Sequence, residues 1–230
     1  EIRLSLVGSE MCIRDSPDII VSDVMMPRMN GYKLCKTIKE DINISHIPVI
    51  LLTARDDRQS QISGYKNGAD GYLSKPFEVE MLMELIRNRL KNREYTKKRY
   101  LNAGLIPTPE ESTISLTDET FLIKLNSIIQ ENIENSNLGI QFICQEVGLG
   151  RSSLYNKLKA LTGMGANEYI SKLRIEKAIT LISGTDMPFS EIAEKTGFTT
   201  PSYFSTAFKQ YTGETPSQYK ERKKKGLADK

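Results

Sequence analysis

Three short apolar runs in the first third of the chain each end on a polar residue that could take part in chemistry. Asp23 follows residues 18–22, Thr53 follows residues 48–52 and Lys75 follows residues 72–74. Short runs rich in β-branched residues are typical of buried parallel strands. The carboxyl ends of such strands line the crevice where open α/β sheets place their sites, and a carboxylate there could act as a nucleophile. Taken alone, each of the three is more typical of an ordinary loop residue.

The segments between these runs favour helices. We predict helices over residues 32–41, 58–66 and 78–91, with turns at Asn30-Gly31 and at Gly68-Ala-Asp-Gly71. Strands that alternate with helices indicate a parallel sheet covered by helices. The sequence therefore predicts an α/β domain in which three strand ends carry an acid, a hydroxyl and an amine.

The combined pattern resembles the receiver domain of two-component response regulators. The residues that carry the resemblance are Asp23-Val-Met-Met-Pro27, Asn30-Gly31, Thr53-Ala54, Gly68-Ala-Asp-Gly-Tyr72 and Lys75-Pro76-Phe77. The resemblance implies a flavodoxin-like fold over residues 17–92, with a histidine kinase as phosphodonor.

The same resemblance implies a role for each site residue. Asp23 would be the phosphoacceptor, Lys75 would pair with the phosphoryl oxygens, and Thr53 would donate its hydroxyl to one of them. Tyr72 would be an aromatic switch that rotates when Thr53 moves. Asp23 and the backbone carbonyl of Met25 would bind Mg²⁺.

Residues 1–16 depart from the receiver pattern. A receiver has further strands and helices before its phosphoacceptor strand, and an acidic pair that holds Mg²⁺; here Glu10 and Asp15 are isolated. A crossover between parallel strands needs about a dozen residues or more, so the segment is too short. We therefore expect a partial receiver in which residues 18–22 form an exposed apolar edge. Residues 1–16 resemble translated sequencing-adaptor sequence, and we expect them to be foreign to the receiver. Because Mg²⁺ requires near-octahedral oxygen coordination, we also expect poor metal binding and poor phosphorylation.

A linker follows the predicted receiver. Residues 87–99 are strongly basic and should continue the last helix, and residues 103–115 contain Pro107 and Pro109 among small polar residues. We therefore assign residues 93–116 to a linker. Thr117-Asp118 has capping character, and an amphipathic helix is predicted from Phe121 to about residue 134. A second domain is assigned to residues 117–225, with a tail at 226–230.

Residues 190–213 have the pattern of a helix, a tight turn and a second helix. Ser190 is a candidate N-cap, and Gly197 suits the turn because glycine tolerates positive φ. Phe204 and Phe208 share one face of the second helix. The opposite face carries small polar and cationic residues suited to groove edges and phosphates, namely Ser202, Ser205, Thr206 and Lys209. An ordinary bundle hairpin and a DNA-binding unit fit this stretch equally well.

An internal repeat separates the two interpretations. Residues 141–163 repeat the pattern, with Gly148 matching Gly197, Leu154 matching Phe204 and Lys159 matching Lys209. Residues 167–183, between the copies, predict a spacer helix of about 25 Å. Two helix-turn-helix units on one rigid spacer suit two successive major-groove segments, which lie about 34 Å apart.

The repeat resembles the DNA-binding domain of AraC-type transcription regulators over residues 137–223. The matching segments are Lys172-Leu-Arg-Ile-Glu-Lys-Ala178, Glu191-Ile-Ala193, Gly197-Phe198, Ser202-Tyr-Phe-Ser205, Phe208-Lys209 and Gly213-Glu-Thr-Pro-Ser-Gln-Tyr219. The resemblance implies double-stranded DNA as the partner, with a homodimer as a further expectation. The implied DNA-facing residues are Arg151, Ser152, Tyr155, Asn156 and Lys159 in the first unit and Pro201, Ser202, Ser205, Thr206 and Lys209 in the second. The second set has no Arg or long amide, so we expect the first unit to supply more of the direct base readout.

Composition limits the classes of function. The chain has 230 residues and a net charge of +3, with 14 Lys or Arg against 9 Asp or Glu from residue 137 onward. This excess suits phosphate contacts. Three scattered cysteines predict reduced thiols and a cytoplasmic protein, without a disulfide framework or zinc site. His46, the single histidine, is predicted to lie on the surface. No run approaches the ~20 apolar residues that span a bilayer.

The order of these parts favours one function. A receiver, a basic linker and a double helix-turn-helix predict a sequence-specific DNA-binding transcription regulator under phosphorelay control. The order also resembles the C-terminal part of Bacteroidetes-type hybrid two-component regulators, in which a sensor and histidine kinase precede the receiver. The alternative is therefore the output fragment of a hybrid histidine kinase. This sequence has no glycine motif for ATP and no candidate phosphohistidine, so we predict that this chain is not an enzyme.

Overall fold

The computed structural model describes residues 17–54, 68–103 and 115–228. The chain forms two compact units. Residues 1–121 with 152–163 belong to the first, and residues 122–151 with 164–230 belong to the second.

The first unit contains a parallel sheet. Its strands are β1 (Ile20–Asp23), β2 (Val49–Thr53) and β3 (Gly71–Ser74), and their order in the sheet is β1-β2-β3. Val49, Ile50 and Leu51 are fully buried, as expected for a central strand with both faces covered. The predicted α/β class is confirmed, and so is each predicted strand to within a residue or two.

The helices of the first unit follow the predicted alternation. Helix α1 (Gly31–Glu40) begins after Asn30, whose side chain accepts a hydrogen bond from the Lys33 amide at 2.8 Å. Helix α2 (Val79–Ala103) runs for 25 residues, so the basic segment does continue the last receiver helix. The predicted helix over residues 58–66 lies outside the described residues.

Helix α3 (Leu116–Glu131) leads out of the first unit and begins five residues before the predicted Phe121. Its first turn is capped by Ser115, whose hydroxyl accepts a hydrogen bond from the Asp118 amide at 3.2 Å. The start of this helix was therefore predicted too late, because the sequence offers several capping residues in succession between residues 115 and 118.

The remaining helices form the double helix-turn-helix. They are α4 (Ile140–Val147), α5 (Arg151–Thr162), α6 (Ala166–Gly184), α7 (Phe189–Lys195), α8 (Pro201–Thr212) and α9 (Pro216–Ala228). Gly148 and Gly197 each have a φ of 73° in the two turns. Helix α6, the predicted spacer, has 19 residues and is therefore about 28 Å long.

One predicted cap is wrong. Helix α7 begins at Phe189, with Pro188 in the N-cap position and no side-chain cap, so Ser190 lies inside the first turn. Helix α8 does have a side-chain cap that the sequence analysis did not name: Thr200 accepts from the Tyr203 amide at 3.2 Å. Among the helices of the described ranges, none is long and apolar enough to cross a membrane.

Candidate phosphoacceptor and nucleic-acid sites

The register of the sheet brings the three predicted strand ends side by side. Asp23, at the end of β1, pairs with Leu52 of β2, and Thr53 of β2 pairs with Ser74 of β3. The Lys75 amide donates to the Thr53 carbonyl at 2.6 Å. The Lys75 ammonium forms an ion pair and hydrogen bond with the Asp23 carboxylate. Asp23, Thr53 and Lys75 therefore do meet at one edge of the sheet.

The environment of Asp23 favours its ionised form. The hydrogen bond from Lys75 holds the pKa of the Asp23 carboxyl below its ordinary value, with a smaller effect from the Met25 amide, while partial desolvation acts in the opposite direction. That amide donates to Asp23 Oδ1 at 3.0 Å. The side chain is still 32% exposed. An ionised, accessible carboxylate beside an ammonium group is chemically suited to nucleophilic attack on phosphorus.

The other two predicted receiver residues lie deeper. Thr53 is buried. Tyr72 is half-buried and packs against a cluster that includes Val24, Cys35 and Leu51. The structure thus places Thr53 next to the strand end that holds Lys75 and places the Tyr72 ring against the sheet. Their assigned roles in switching stay predictions.

The donor set at this edge does not suit Mg²⁺. No cluster of three His, Cys, Asp or Glu side chains that could hold a metal occurs within residues 17–54, 68–103 and 115–228. The Asp23 carboxylate already accepts hydrogen bonds from the Lys75 ammonium and from the Met25 amide. Mg²⁺ requires several oxygen ligands in near-octahedral geometry. Asp23 and the Met25 carbonyl alone do not supply them.

The second helix-turn-helix has an aromatic core. Phe204 and Phe208 are fully buried, with ring centroids 5.7 Å apart. Phe198 lies 5.4 Å from Phe204, and Tyr219 lies 5.6 Å from Phe208, all in tilted or edge-to-face geometry. Such pairs contribute about 0.5–1.5 kcal/mol each beyond the burial of their area. The apolar face of α8 is therefore fixed in the core, as its i, i+4 spacing predicted.

The opposite face of α8 carries the predicted DNA-facing residues. Pro201, Ser202, Thr206 and Lys209 are exposed, and Ser205 is half-buried. The Ser205 hydroxyl donates to the Pro201 carbonyl at 2.9 Å, and the Thr206 hydroxyl donates to the Ser202 carbonyl at 3.1 Å. Both hydroxyl protons are thus used within the helix, and the oxygen lone pairs remain outward-facing acceptors.

Helix α5 of the first helix-turn-helix has the same division into faces. Leu154 and Leu158 are fully buried. The predicted DNA-facing residues Arg151, Ser152, Tyr155 and Lys159 are exposed, and Asn156 is half-buried. The predicted set on α5 includes an exposed arginine and a half-buried asparagine, the side chains that read guanine and adenine in the major groove.

A close approach fixes the second turn. The Arg174 guanidinium donates to the Asn135 carbonyl at 2.7 Å and lies 6.0 Å from the centroid of the Phe198 ring. A Cβ atom on Gly197 would lie within 3.0 Å of both the Ile133 carbonyl oxygen and this guanidinium. Gly197 is therefore required for space as well as for its positive φ. The residue type of Gly197 predicted its positive φ, but its close neighbours Ile133 and Arg174 are distant in sequence and were not predicted.

Three polar or charged side chains are buried whose burial was not predicted. His46 is 9% exposed, so its predicted surface location is wrong, and burial lowers its pKa to about 4. Lys157 and Asp118 are almost fully buried. The periodicity of α5 could have located Lys157, since residues 154, 157, 158 and 161 follow the i, i+3, i+4, i+7 pattern of one buried face. Nothing local could have identified its partner, which lies 39 residues away.

Two family models match the chain. The response regulator receiver domain matches residues 7–87, and the helix-turn-helix domain matches residues 143–222. These matches support the predicted succession of a receiver and a helix-turn-helix domain. The domain boundaries given above stay predictions.

Individual relatives extend these matches. Histidine kinase P4 of Formosa agariphila is 41% identical over 94% of this chain, but the chain spans only 16% of that protein. The probable transcriptional regulator ycf29 of Pyropia yezoensis is 30% identical over 66% of this chain and 73% of its own length. Among solved structures, the C-terminal domain of the response regulator AraT from Geobacillus stearothermophilus is 31% identical, covers 44% of this chain and 84% of its own, and has a TM-score of 0.42. The chain therefore belongs to the response-regulator family, with a receiver domain followed by an AraC-type helix-turn-helix domain.

Proposed function

We propose that this chain is a sequence-specific DNA-binding transcription regulator controlled by phosphoryl transfer to Asp23. The observation that carries the proposal is the two-faced helix α8, whose aromatic side is fixed in the core while its small polar side and Lys209 face outward. A helix of this kind fits the major groove, since its width admits one α-helix and short side chains reach base edges. The cytoplasm is the compartment that suits this function, because DNA is accessible there.

The proposed contacts divide into two kinds. Lys159 and Lys209 would bind phosphates, which supply affinity without sequence information. Base edges would be met by Arg151, Ser152, Tyr155 and Asn156 from α5 and by Pro201, Ser202, Ser205 and Thr206 from α8. Arg151 is the residue in this set with the fork geometry that binds guanine O6 and N7.

The proposed control step is attack by an Asp23 carboxylate oxygen on the phosphorus of a kinase phosphohistidine. The new O–P bond forms as the N–P bond breaks, and the imidazole leaves as the free histidine side chain. Lys75 would then bind the phosphoryl oxygens and Thr53 would donate its hydroxyl, with Tyr72 as the responding ring. The change adds about 1.5 to 2 negative charges to this edge of the sheet. In a receiver with its acidic pair, Mg²⁺ would also bind there.

Selection from a random duplex library followed by gel shifts tests the DNA-binding function. We expect the chain to enrich a defined sequence. Lys209→Ala should weaken binding to all duplexes and lower the slope of log affinity against log salt by about 1, as for loss of one phosphate contact. Lys195→Ala is the matched control, because Lys195 is a lysine on α7 outside the proposed interface, with a side chain that is 43% exposed. Failure to enrich any duplex would refute the proposal, and the stoichiometry of the shifted complex would show whether a homodimer binds.

A second function has its own supporting observation. The 41% identity to histidine kinase P4 extends over 94% of this chain, which spans 16% of that relative. The chain would then be the output part of a hybrid histidine kinase, with the phosphodonor in the same polypeptide. The sequence of the complete gene distinguishes the two cases, since an ATP-binding kinase domain upstream of the receiver would establish the hybrid.

A further inference from the structure

Three buried polar side chains meet beneath recognition helix α5. Lys157 of α5 and Ser45, which lies between α1 and β2, are fully buried, and Asp118 in the first turn of α3 is 2% exposed. Lys157 forms an ion pair with Asp118 and donates to the Ser45 hydroxyl at 2.7 Å. The Ser45 hydroxyl donates in turn to Asp118 Oδ1 at 2.7 Å. These contacts form a closed network, called here the α5 anchor.

The surroundings of the α5 anchor complete its hydrogen bonding. The Ser115 hydroxyl donates to the second oxygen of Asp118 at 2.8 Å. The Lys157 ammonium lies 5.1 Å from the centroid of the Phe121 ring, within the range of a cation–π contact. The Arg93 guanidinium donates to the Ala160 carbonyl at 3.4 Å, one helical turn further along α5. The buried side of α5 is therefore held in place by directional polar contacts in addition to apolar packing.

Stability alone does not account for the α5 anchor. Removing two charges from water is costly, and replacing a complete buried ion pair by neutral groups of similar volume is often neutral or stabilising. What such a pair does supply is geometry, since a charged hydrogen bond is short and directional. The α5 anchor therefore restricts how α5 can move.

The movement that matters is rotation of α5 about its own axis. Lys157 comes two residues after Tyr155, which corresponds to about 200° of rotation about the axis, so it points away from the proposed reading face. A rotation of about 20° would move a side-chain tip about 6 Å from the axis by about 2 Å. Hydrogen bonds keep their donor–acceptor distance within a range of about 0.5 Å. Fixing the back of α5 therefore decides whether Arg151 and Asn156 reach base edges.

We propose that Lys157 and Asp118 are positioning residues that set the rotation of recognition helix α5, and that Ser45 links this setting to the receiver. The inference rests on the proposed DNA-binding function. It assigns different tasks to two lysines two residues apart, because Lys159 faces outward toward phosphate whereas Lys157 never touches DNA. Ser45 lies inside the receiver match, so a change in its segment acts on the same carboxylate that holds α5.

The test compares single and paired replacements in the full chain. Lys157→Met and Asp118→Asn each leave one partner unpaired and should lower the stability of the first compact unit, which amide hydrogen exchange in its central strand β2 reports. The double variant Asp118→Asn/Lys157→Met should recover most of that loss, because no buried charge remains. The control is Glu134→Gln/Lys177→Met, which removes an exposed ion pair of 3.1 Å elsewhere in the protein. Affinity is measured for the duplex that the wild-type chain enriches and for a random duplex, and the two affinities are compared.

The α5 anchor predicts that stability and selectivity separate in the double variant. The ratio of specific to random affinity should fall about tenfold, the discrimination that one good base contact supplies, while the control keeps the wild-type ratio. Amide hydrogen exchange in α5 should also become faster, and Ser45→Ala should lower the ratio in the same direction. A double variant with recovered stability, the wild-type ratio and unchanged α5 exchange would overturn the inference. If the wild-type chain enriches no duplex, the proposed function fails, and hydrogen exchange in α5 still decides for or against the anchor.

Discussion

Replacing Gly197 by alanine should destabilise the second helix-turn-helix much more than replacing Gly148 by alanine destabilises the first. Both glycines have a φ of 73° in the turn between two helices. A Cβ atom on Gly148 would meet nothing within 4 Å, whereas on Gly197 it would lie within 3.0 Å of the Ile133 carbonyl oxygen and 2.9 Å from Arg174 Nη2. The pair therefore separates the cost of backbone conformation from the cost of contact.

The magnitudes follow from these two terms. A left-handed conformation costs an L-residue about 1–2 kcal/mol, and this term applies at both positions. Overpacking against a well-ordered neighbour adds about 1–3 kcal/mol, and it applies only at Gly197 because a backbone carbonyl cannot move aside as a side-chain end can. We expect losses of about 1–2 kcal/mol for Gly148→Ala and about 2–5 kcal/mol for Gly197→Ala.

Native-state amide hydrogen exchange is the suitable assay. A chain with two compact units is not expected to unfold in a single transition, so one melting curve would mix their stabilities. Exchange of amides in α7 and α8 reports the opening of the helix pair around Gly197, and exchange in α4 and α5 reports the opening of the pair around Gly148. If Gly197→Ala costs no more than Gly148→Ala, the close approach of Ile133 does not constrain the turn and the reasoning is refuted.

Three further outcomes are expected. Arg151→Ala should weaken specific DNA binding by about 1–3 kcal/mol if Arg151 reads a guanine, and equal weakening on random duplex would show that it does not. Acetyl phosphate should modify Asp23 slowly and incompletely by intact mass, with no modification in Asp23→Asn, because Asp23 and the Met25 carbonyl supply too few ligands for Mg²⁺, and rapid stoichiometric labelling would contradict this expectation. Burial lowers the pKa of His46 from about 6.5 to about 4, so the stability of the first compact unit should fall by about 3 kcal/mol as pH drops through that window. His46→Gln should remove this part of the pH dependence of amide exchange in β2, after correction for the intrinsic exchange rate, and an unchanged slope would exclude His46 as its source.

Much of the fold was predictable because its signals are local. Short apolar runs between turn signals located the three strands, and the repeated turn glycines located both helix-turn-helix units, since each depends on residues close together in the chain. The end of each strand then placed Asp23, Thr53 and Lys75 at one edge. Parallel pairing makes that edge a necessary consequence of three correctly assigned strands.

The errors have physical causes as well. Ser190 was chosen as a cap from its residue type, but Pro188 already has the extended conformation that begins α7 two residues earlier. His46 was assigned to the surface as a loop residue, but the continuous buried segment begins at Ser45, before the strand itself starts. The partnership of Asp118 with Lys157 depends on tertiary packing between distant segments, which no periodicity encodes.

Under the proposed DNA-binding function, the hydroxyl orientations on α8 have a consequence for the set of DNA sites that the chain would bind. Ser205 and Thr206 use their protons on the helix backbone, so α8 offers acceptors, and acceptors suit the amino groups of both adenine and cytosine in the major groove. Arginine and asparagine on α5 discriminate more strictly. Aligned operators should therefore be strongly conserved at one end and degenerate at the other. Promoters could then gain or lose regulation by changes confined to the conserved end, while the degenerate end drifts with little consequence.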